Sequence, residues 1–484
     1  LRAADRRQED PIVAGGGSCL LNPTVLAPFL DVAFIGDGEQ TVCDAARLLA
    51  DLGAAGASRD EKIAALRRIP GAWHPGCREP VRARTVSDLN DTPAPDPLVP
   101  IIEPVHDRLA LEIMRGCSRG CRFCQAGMIA RPVRERDPQA VVEAASSGVA
   151  RAGYGEVSLL SLSTSDYSRL VDVVAGIQDA LPGPHTNLVV PSLRMDSMAP
   201  DLYDRIGRER PANVTFAPEA GSQRLRDVIN KQITAEDIER SAEAAFASGV
   251  KHVKLYFMIG LPTETNEDLD EIVALTGRMI ALAPRGASQV HVSISPFAPK
   301  AHTPFQWAGQ IPREEMRRRN AYLEKRLRRL RVKIGLRDPD VSFLECVLGL
   351  GDERLADVVQ RVWRLGARFD GWTEQFDSAR WQQAFADCGV VAEDYAAPRD
   401  PQAPLPWDTV SVGLTRTFLQ QDWRRAQRAA VLADCRLGGA CYRCDVCGED
   451  PRHIFARAGS ADVAPADTAP ADTAPAPAGR AWPA

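Results

Sequence analysis

Three of the chain's cysteines lie in one short stretch, Met114-Arg115-Gly116-Cys117-Ser118-Arg119-Gly120-Cys121-Arg122-Phe123-Cys124, with the spacing C-x3-C-x2-C. The apolar run of residues 109–114 predicts a β-strand, so the cysteines lie on a loop at its carboxyl end. Barrels and open α/β sheets carry their chemistry on such loops. Three thiolates can bind three irons of a cubane cluster and leave the fourth iron open. A three-cysteine zinc site and a chance grouping are the alternatives.

The other residues of this cysteine loop (residues 116–124) fit a tightly wrapped anionic centre. Gly116 and Gly120 allow backbone conformations that a side chain would prevent. The neighbouring arginines, Arg115, Arg119 and Arg122, are expected to stabilise the thiolates and an anionic cluster electrostatically.

A βα rhythm continues from the cysteine loop to about Pro299. This alternation predicts a parallel sheet that is curled or closed as a barrel. The predicted strands are residues 109–114, 157–162, 188–191, 214–217, 252–259 and 290–294, and the predicted helices are residues 138–152, 168–180, 235–248 and 267–282.

The segment before the loop is typical of the end of an α/β domain. Two short apolar runs, residues 12–14 and 32–35, lead into glycines, and residues 41–52 have the apolar spacing of a helix. The glycines indicate either tight turns or close approach to a ligand, and both interpretations stay open. The prolines between residues 93 and 104 predict a linker over residues 81–104.

Residues 313–337 are strongly basic and predict one helix. Such a helix could bind RNA or another polyanion, or it could be a solvated face whose long side chains cover apolar surface. The second interpretation is favoured because no RNA-binding motif accompanies the charges. Further helices, with Trp363, Trp372 and Trp381 in their core, are expected over residues 345–389. The Ala-, Pro- and Asp-rich tail, residues 456–484, is predicted to be disordered.

A second group of cysteines, Cys435, Cys441, Cys444 and Cys447, has the spacing C-x5-C-x2-C-x2-C. Four thiolates are a complete ligand set for an auxiliary 4Fe–4S cluster or for a structural zinc ion. The compact run favours the cluster, because zinc sites usually use two separated C-x2-C pairs. Tight cysteine groups in a chain without a signal peptide predict metal ligation in a reducing, cytoplasmic compartment.

Length and composition bound the remaining possibilities. The chain has 484 residues, of which 45% are apolar and 25% charged, and its net charge of −5 gives no general argument for a nucleic-acid partner. No apolar stretch reaches the roughly 18 residues of a membrane span. The chain starts at Leu1 with charged residues, so a fragment of a longer protein is expected.

The cysteine spacing, with the aromatic Phe123 before the last cysteine, resembles the radical S-adenosylmethionine (radical SAM) superfamily. Residues 11–448 are similar to an uncharacterised group in it that carries an N-terminal cobalamin-binding-like domain. The resemblance implies that S-adenosylmethionine chelates the open iron of a 4Fe–4S cluster beside Phe123. It also implies reductive cleavage to a 5′-deoxyadenosyl radical, with a reductant such as flavodoxin or ferredoxin.

The resemblance implies an α/β fold class with a partial (β/α)6 barrel. Its parts are a remnant of the Rossmann-like, cobalamin-binding-like domain (1–80), the linker (81–104), the core barrel (105–310), a mainly helical region with the four-cysteine metal site (311–455) and the tail (456–484). The Asp-x-His-x-x-Gly motif that would supply an axial histidine to cobalt is absent. Stable cobalamin binding is therefore not expected.

The resemblance also assigns cofactor contacts to residues at successive strand ends. Glu156 and Ser163 flank the second strand, in the segment that contacts the methionine amino group. Arg194 is expected to meet the carboxylate of S-adenosylmethionine, and Glu219 its ribose or its amine. Gly260 belongs to the segment that flanks the adenine. A structural ion pair is the alternative role for Arg194 and Glu219.

These features predict a radical SAM enzyme of unknown substrate, with Cys117, Cys121 and Cys124 as cluster ligands. The related architecture suggests methyl or methylthio transfer to RNA or a ribosomal component. A non-catalytic iron–sulfur or zinc scaffold is the alternative, and the strand-end residues argue against it because a scaffold does not need them.

Overall fold

The computed structural model describes residues 2–94, 97–181, 186–191, 194, 214–284, 289–436 and 441–447. Within these ranges, no helix has the length and apolar character that crossing a membrane requires. The predicted tail and the residues Ser192 and Leu193, at the end of the third predicted strand, lie outside the described part.

Two parallel sheets form the framework of the barrel. In spatial order, their described strands are Leu109–Glu112, Glu156–Leu160 and Asn187–Val189 in the first sheet, and Val214–Glu219, His252–Ile259, Gln289–Pro296 and Lys333–Leu336 in the second. Every neighbouring pair is parallel, so the carboxyl ends of the strands in each sheet meet at one edge. The six predicted strands are present, and the predicted partial barrel is confirmed.

Amphipathic helices alternate with these strands. Their described spans are Pro138–Ala152, Leu170–Ala180, Gln223–Val228, Ala235–Ala247 and Asn266–Leu282. Asp137 accepts hydrogen bonds from backbone N–H groups in the first turn of the first helix, and Gly153 ends that helix in a left-handed conformation. Every second side chain of His252–Ile259 is buried, in a core shared with the helices on either side of it in the sequence.

The basic segment is not one helix. A helix spans Arg313–Leu327, a 3-10 turn spans Arg328–Leu330, and Lys333–Leu336 is a strand parallel to Gln289–Pro296. Arg331 takes a left-handed conformation (φ 56°) after the turn. The prediction of a helix through residue 337 was wrong because pairing with the sheet overrides the local helical pattern.

Acidic neighbours compensate the charge of the basic helix. Arg317 pairs with Asp340 (2.9 Å), and Arg318 and Arg319 both pair with Glu315 (2.6 Å each). Because these charges already have partners, the geometry favours the solvated-face interpretation over a polyanion-binding surface.

The N-terminal α/β unit is fastened to the C-terminal region. Its described strands and longer helices are Ala14–Gly15, Val32–Phe34, Glu39–Ala54, Arg59–Leu66 and Ala72–Trp73. The first two strands are parallel, and the third pairs antiparallel with the second. The predicted linker starts with a strand, Val81–Arg82, that pairs with Val410–Ser411. This part of the linker therefore pairs with the C-terminal region as a β-strand and holds the two regions together.

One glycine turn of this unit packs against the protein's own backbone. Gly36 (φ 100°) forms a bridge with Arg84, and a Cβ at Gly36 would lie 2.2 Å from the Arg84 carbonyl oxygen. The close approach supports the tight-turn interpretation of this glycine rather than ligand contact.

The C-terminal region is mainly helical. Its described helices are Pro339–Gly349, Leu355–Arg364, Ser378–Asp387, Glu393–Ala396 and Arg416–Gln427. Their apolar residues share one core with Met128, which follows the cysteine loop, and with residues at the ends of the barrel strands. Trp381 is buried as predicted. The prediction was wrong for Trp363 and Trp372, because their side chains are exposed and neither packs into this core.

Candidate active site

The cysteine loop lies at the carboxyl edge of the first sheet. A short antiparallel pair, Met114–Arg115 with Arg134–Glu135, frames it. Gly116 has a φ of 91°, and a Cβ there would lie 2.6 Å from the carbonyl oxygens of both Ala130 and Pro132. Glycine is therefore required for the loop to wrap this closely.

The three thiols of the loop act on one another. The Sγ of Cys124 accepts a hydrogen bond from the backbone N–H of Gly127 (3.3 Å), in the helix Gln125–Ile129. Burial, and then the neighbouring Cys121, raise the pKa of Cys117 to about 12. The same two causes raise the pKa of Cys124. A bound metal would reverse this tendency, because coordinated thiols are deprotonated.

The donor set of the loop suits an iron–sulfur cluster. Three thiolates match three irons of a cubane cluster and leave the fourth iron open. A structural zinc ion takes four protein ligands, and the loop offers three cysteines. The triad therefore fits a cluster better than a structural zinc ion.

The arginines of the loop are paired with carboxylates. These ion pairs include Arg115–Glu112 (2.7 Å), Arg119–Asp166, Arg119–Asp434 (3.2 Å) and Arg122–Asp422 (3.0 Å). Although burial alone would raise the pKa of Asp166, its hydrogen bonds from Arg119 hold that pKa below the usual value. The arginines therefore hold the loop in place. Because carboxylates already compensate their positive charges, these charges do not add a net positive field at the thiolates.

A cation that does act on the thiols is Lys231. Its Nζ donates to Oε1 of Glu219 (3.3 Å) and lies 6.0 Å from the centre of the Phe123 ring. Burial alone would lower the pKa of Lys231, but Glu219 and Cys121 raise it. The lysine therefore stays protonated beside the triad.

Two further predicted residues, Ser163 and Arg194, lie beside the loop. Ser163 donates through Oγ to Oδ2 of Asp166 (2.6 Å), which is the carboxylate that pairs with the loop. Arg194 donates its backbone N–H to Oγ of Ser165 (3.0 Å) and its Nη2 to the carbonyl of Lys231 (3.2 Å). Both are held at the carboxyl edge of the sheets, together with the lysine.

Gly260 and Glu156 are placed differently. Gly260 (φ 77°) follows His252–Ile259 at the carboxyl edge, and its N–H donates to Oε2 of Glu264 (2.6 Å). Glu156 begins its strand and pairs with Arg108 (3.4 Å) at the amino edge of the first sheet. The structure therefore does not bring Glu156 to the thiols, because the cysteine loop follows the opposite edge.

Reasoning from the sequence missed Lys231 and Arg131, a buried arginine after the loop. The signal for Lys231 is weak: it stands in the polar run Asn230-Lys231-Gln232, where both amide residues have positive φ angles (53° and 52°). Arg131 has no motif around it, and only its contacts in the structure distinguish it.

The second cysteine group lies against the first. Tyr442 donates its hydroxyl to the carbonyl of Ser118 (3.0 Å), and Ser118 donates its own hydroxyl to Oδ2 of Asp434 (3.0 Å). Burial raises the pKa of Cys435 to about 12 and that of Cys447 to about 11. The two cysteine-bearing segments are therefore in direct contact, although Ser118 and Asp434 are 316 positions apart in the sequence.

Comparisons with known proteins extend this picture. A tRNA-2-methylthio-N(6)-dimethylallyladenosine synthase of Oceanobacillus iheyensis is 24% identical over 44% of this chain. An anaerobic magnesium-protoporphyrin IX monomethyl ester cyclase of Rubrivivax gelatinosus is 27% identical over 56% of it. The chain spans only 41% and 50% of the lengths of these two relatives.

Solved structures of radical SAM enzymes are also similar. TsrM of Kitasatospora setae, a radical S-adenosylmethionine methyltransferase, has a TM-score of 0.41 and 16% identity over 58% of this chain and 54% of its own. OxsB, a cobalamin-dependent S-adenosylmethionine radical enzyme, has a TM-score of 0.40 and 11% identity over 88% of this chain and 66% of its own.

Two families and one archaeal relative match larger parts of the sequence. Residues 1–75 match the family described as radical SAM proteins, N-terminal, and residues 111–276 match the radical SAM superfamily. An uncharacterized protein of Methanocaldococcus jannaschii is 31% identical over 365 residues, which cover 73% of this chain and 74% of the relative. The chain therefore belongs to the radical SAM superfamily.

Proposed function

We propose that the chain is an enzyme that reductively cleaves S-adenosylmethionine at a 4Fe–4S cluster held by Cys117, Cys121 and Cys124. When bound, this cluster would supply the single electron that splits the sulfonium into methionine and a 5′-deoxyadenosyl radical. The observation that carries the proposal is the all-thiol triad beside the partly buried Lys231–Glu219 pair, at the carboxyl edge of a parallel sheet.

The charges beside the loop suit the amino-acid end of S-adenosylmethionine, which carries an amino group and a carboxylate. Lys231 and Arg194 are the cations that we assign to the carboxylate, and Glu219 is the acceptor that we assign to an N–H of the amino group. Because Lys231 is partly buried, its interaction with a ligand charge is stronger than it would be in water. These residues bind and orient the ligand, and the phenyl ring of Phe123 helps to exclude water beside it.

The test is an anaerobic reaction of the full chain. Reconstitution with iron and sulfide, reduction and addition of S-adenosylmethionine should give 5′-deoxyadenosine, measured by mass spectrometry. Cys117→Ala should abolish this product, while Cys43→Ala, at an exposed cysteine of the N-terminal unit, should leave it unchanged. Normal cleavage by Cys117→Ala would contradict the assignment of the triad.

For the subsequent chemistry we propose methyl or methylthio transfer. This proposal is supported by the activities of two kinds of relative, the tRNA methylthio synthase and a ribosomal protein uS12 methylthiotransferase of Leptospira biflexa (24% identical, 43% of this chain). S-adenosylhomocysteine beside 5′-deoxyadenosine would support it. 5′-Deoxyadenosine alone, with an RNA or ribosomal substrate present, would contradict it.

We propose no step that uses cobalamin. This sequence lacks the Asp-x-His-x-x-Gly motif that would supply the axial histidine. The Nδ1 of His74, next to the strand Ala72–Trp73, accepts a hydrogen bond from the N–H of Gly76 (3.1 Å). The scaffold alternative is disfavoured because membership of this superfamily implies an enzyme.

A further inference from the structure

Arg131 is a buried cation that lies between the two cysteine groups. Its Nε donates to the carbonyl of Gly127 (3.1 Å), but its buried Nη2 has no hydrogen-bond partner among the described residues. The guanidinium carbon lies 5.2 Å from the ring centre of Tyr442 and 5.9 Å from that of Phe418. These aromatic rings stabilise the cation in part, but a buried cation without an ion-pair partner still favours a neighbouring anion.

No carboxylate balances this charge. Among the described residues, Arg131 forms no ion pair with an Asp or Glu side chain, whereas each of the loop arginines has a carboxylate partner. The ring of Tyr442, over which the guanidinium lies, stands between Cys441 and Cys444 in the sequence. A metal centre bound by these cysteines would supply negative charge next to Arg131, because metal coordination deprotonates thiols.

We infer that Cys435, Cys441, Cys444 and Cys447 hold a second iron–sulfur cluster and that Arg131 is the positioning residue that balances its charge. The inference rests on the proposed function only in that the neighbouring triad holds a cluster of its own.

The spacing of the four cysteines favours a cluster over zinc, because zinc sites usually use two separated C-x2-C pairs. The backbone turns twice within the group, at Arg443 (φ 51°) and Asp445 (φ 74°), and the N–H of Arg443 donates to Sγ of Cys441 (3.4 Å). N–H groups donated to sulfur tune iron–sulfur clusters.

Arg131 and one of the four cysteines line the same cavity. Its volume is about 560 Å³, and its lining includes Arg131, Cys447, Val446, Arg82, Thr85 and Gly413. The cation therefore lies next to the cysteine group, and a cluster bound by these cysteines would place negative charge beside it.

The first experiment separates the two centres. The triple variant Cys117→Ala/Cys121→Ala/Cys124→Ala of the full chain is reconstituted anaerobically, and its iron, sulfide and zinc contents are measured together with its Mössbauer spectrum. One cluster per chain is expected. One zinc ion without iron, or no metal, would overturn the inference. The converse variant Cys441→Ala/Cys447→Ala should lose one cluster and keep the other. If it loses all iron while the triple variant keeps its cluster, the proposed function fails and this inference stands.

The second experiment tests Arg131 by the reduction potential of the cluster in the triple variant, titrated by EPR. Arg131→Gln should shift the midpoint potential to a more negative value, because an added electron loses a neighbouring cation. Arg131→Lys should restore most of the potential. Arg82→Gln, an exposed arginine of the same cavity, should leave it unchanged. An unchanged potential in Arg131→Gln, or loss of the cluster in both Arg131 variants, would overturn this role.

Discussion

The buried ion pair between Arg122 and Asp422 ties the cysteine loop to the helix Arg416–Gln427. The Nη2–Oδ1 distance is 3.0 Å, and the two side chains are 0% and 1% exposed. Removal of one partner of a buried pair costs about 3–5 kcal/mol, because the other charge is left unpaired. Three backbone carbonyls also accept from this guanidinium and remain in any Asp422 variant. We therefore expect a loss of about 3 kcal/mol for Asp422→Asn, which keeps an oxygen acceptor, and a loss nearer to about 5 kcal/mol for Asp422→Ala.

The assay is urea unfolding of the metal-free protein, followed by tryptophan fluorescence. The matched control is Glu324→Gln, which breaks an ion pair with Arg328 on the surface, where the side chains are 37% and 73% exposed. That change should cost less than about 0.5 kcal/mol. The double variant Arg122→Met/Asp422→Leu should recover much of the stability, since no charge remains buried. If Asp422→Ala costs no more than the control, the argument from burial is refuted.

Three further predictions concern the loop, the sheet edge and the ligand site. Gly116→Ala should prevent iron binding on reconstitution, because its Cβ would meet two carbonyl oxygens at 2.6 Å, whereas Gly153→Ala, with nothing within 4 Å, should bind iron normally. Burial raises the pKa of Glu264 to about 7, above its usual 4.5, so its contribution to stability is present below pH 4.5 and is lost as the pH rises through 7. Glu264→Gln should remove this part of the pH dependence, worth up to about 3 kcal/mol, and an unaltered profile of unfolding free energy against pH would contradict the assignment. Lys231→Met should weaken S-adenosylmethionine binding to the reconstituted protein by about 10- to 100-fold without unfolding it, measured by equilibrium dialysis, while Lys325→Met, at an exposed lysine, should not. Equal affinities in the two lysine variants would exclude Lys231 from the ligand site.

Helices and strands were predictable where the spacing of apolar residues within one segment, or a capping residue, marks the element. The strand His252–Ile259 and the helix Pro138–Ala152 have the predicted bounds, because alternating burial and a cap mark them locally. The strand Lys333–Leu336 was missed because only its pairing with Gln289–Pro296 distinguishes it from the basic helix before it. The strand Val81–Arg82 was missed for the same reason, since its partner is Val410–Ser411, far away in the sequence.

The site was predictable as a set of thiols but not as a set of charges. The cysteine spacing identifies ligands because the thiolate chemistry lies in the residue type itself. The arginines of the loop gave a misleading signal, since the sequence does not show that Asp166, Asp422 and Asp434 neutralise them. The sequence did not reveal the roles of Arg131 and Lys231. The role of a cationic side chain depends on its burial and on its ion-pair partners, and neither can be read from the residue type.

The amide of Asn230 shows why the two cysteine groups belong to one structural unit. Its buried Nδ2 donates to the carbonyls of Gly120 (3.1 Å) and Leu432 (3.1 Å), and its Oδ1 accepts from the N–H of Leu432 (2.8 Å). One side chain therefore fixes the cysteine loop, the turn that carries Lys231 and the segment that leads to the second group. A buried amide whose donor and acceptor are both satisfied favours a single arrangement of the segments around it. The segment before the four cysteines therefore forms part of the wall of the triad's loop and does not fold as an appended module.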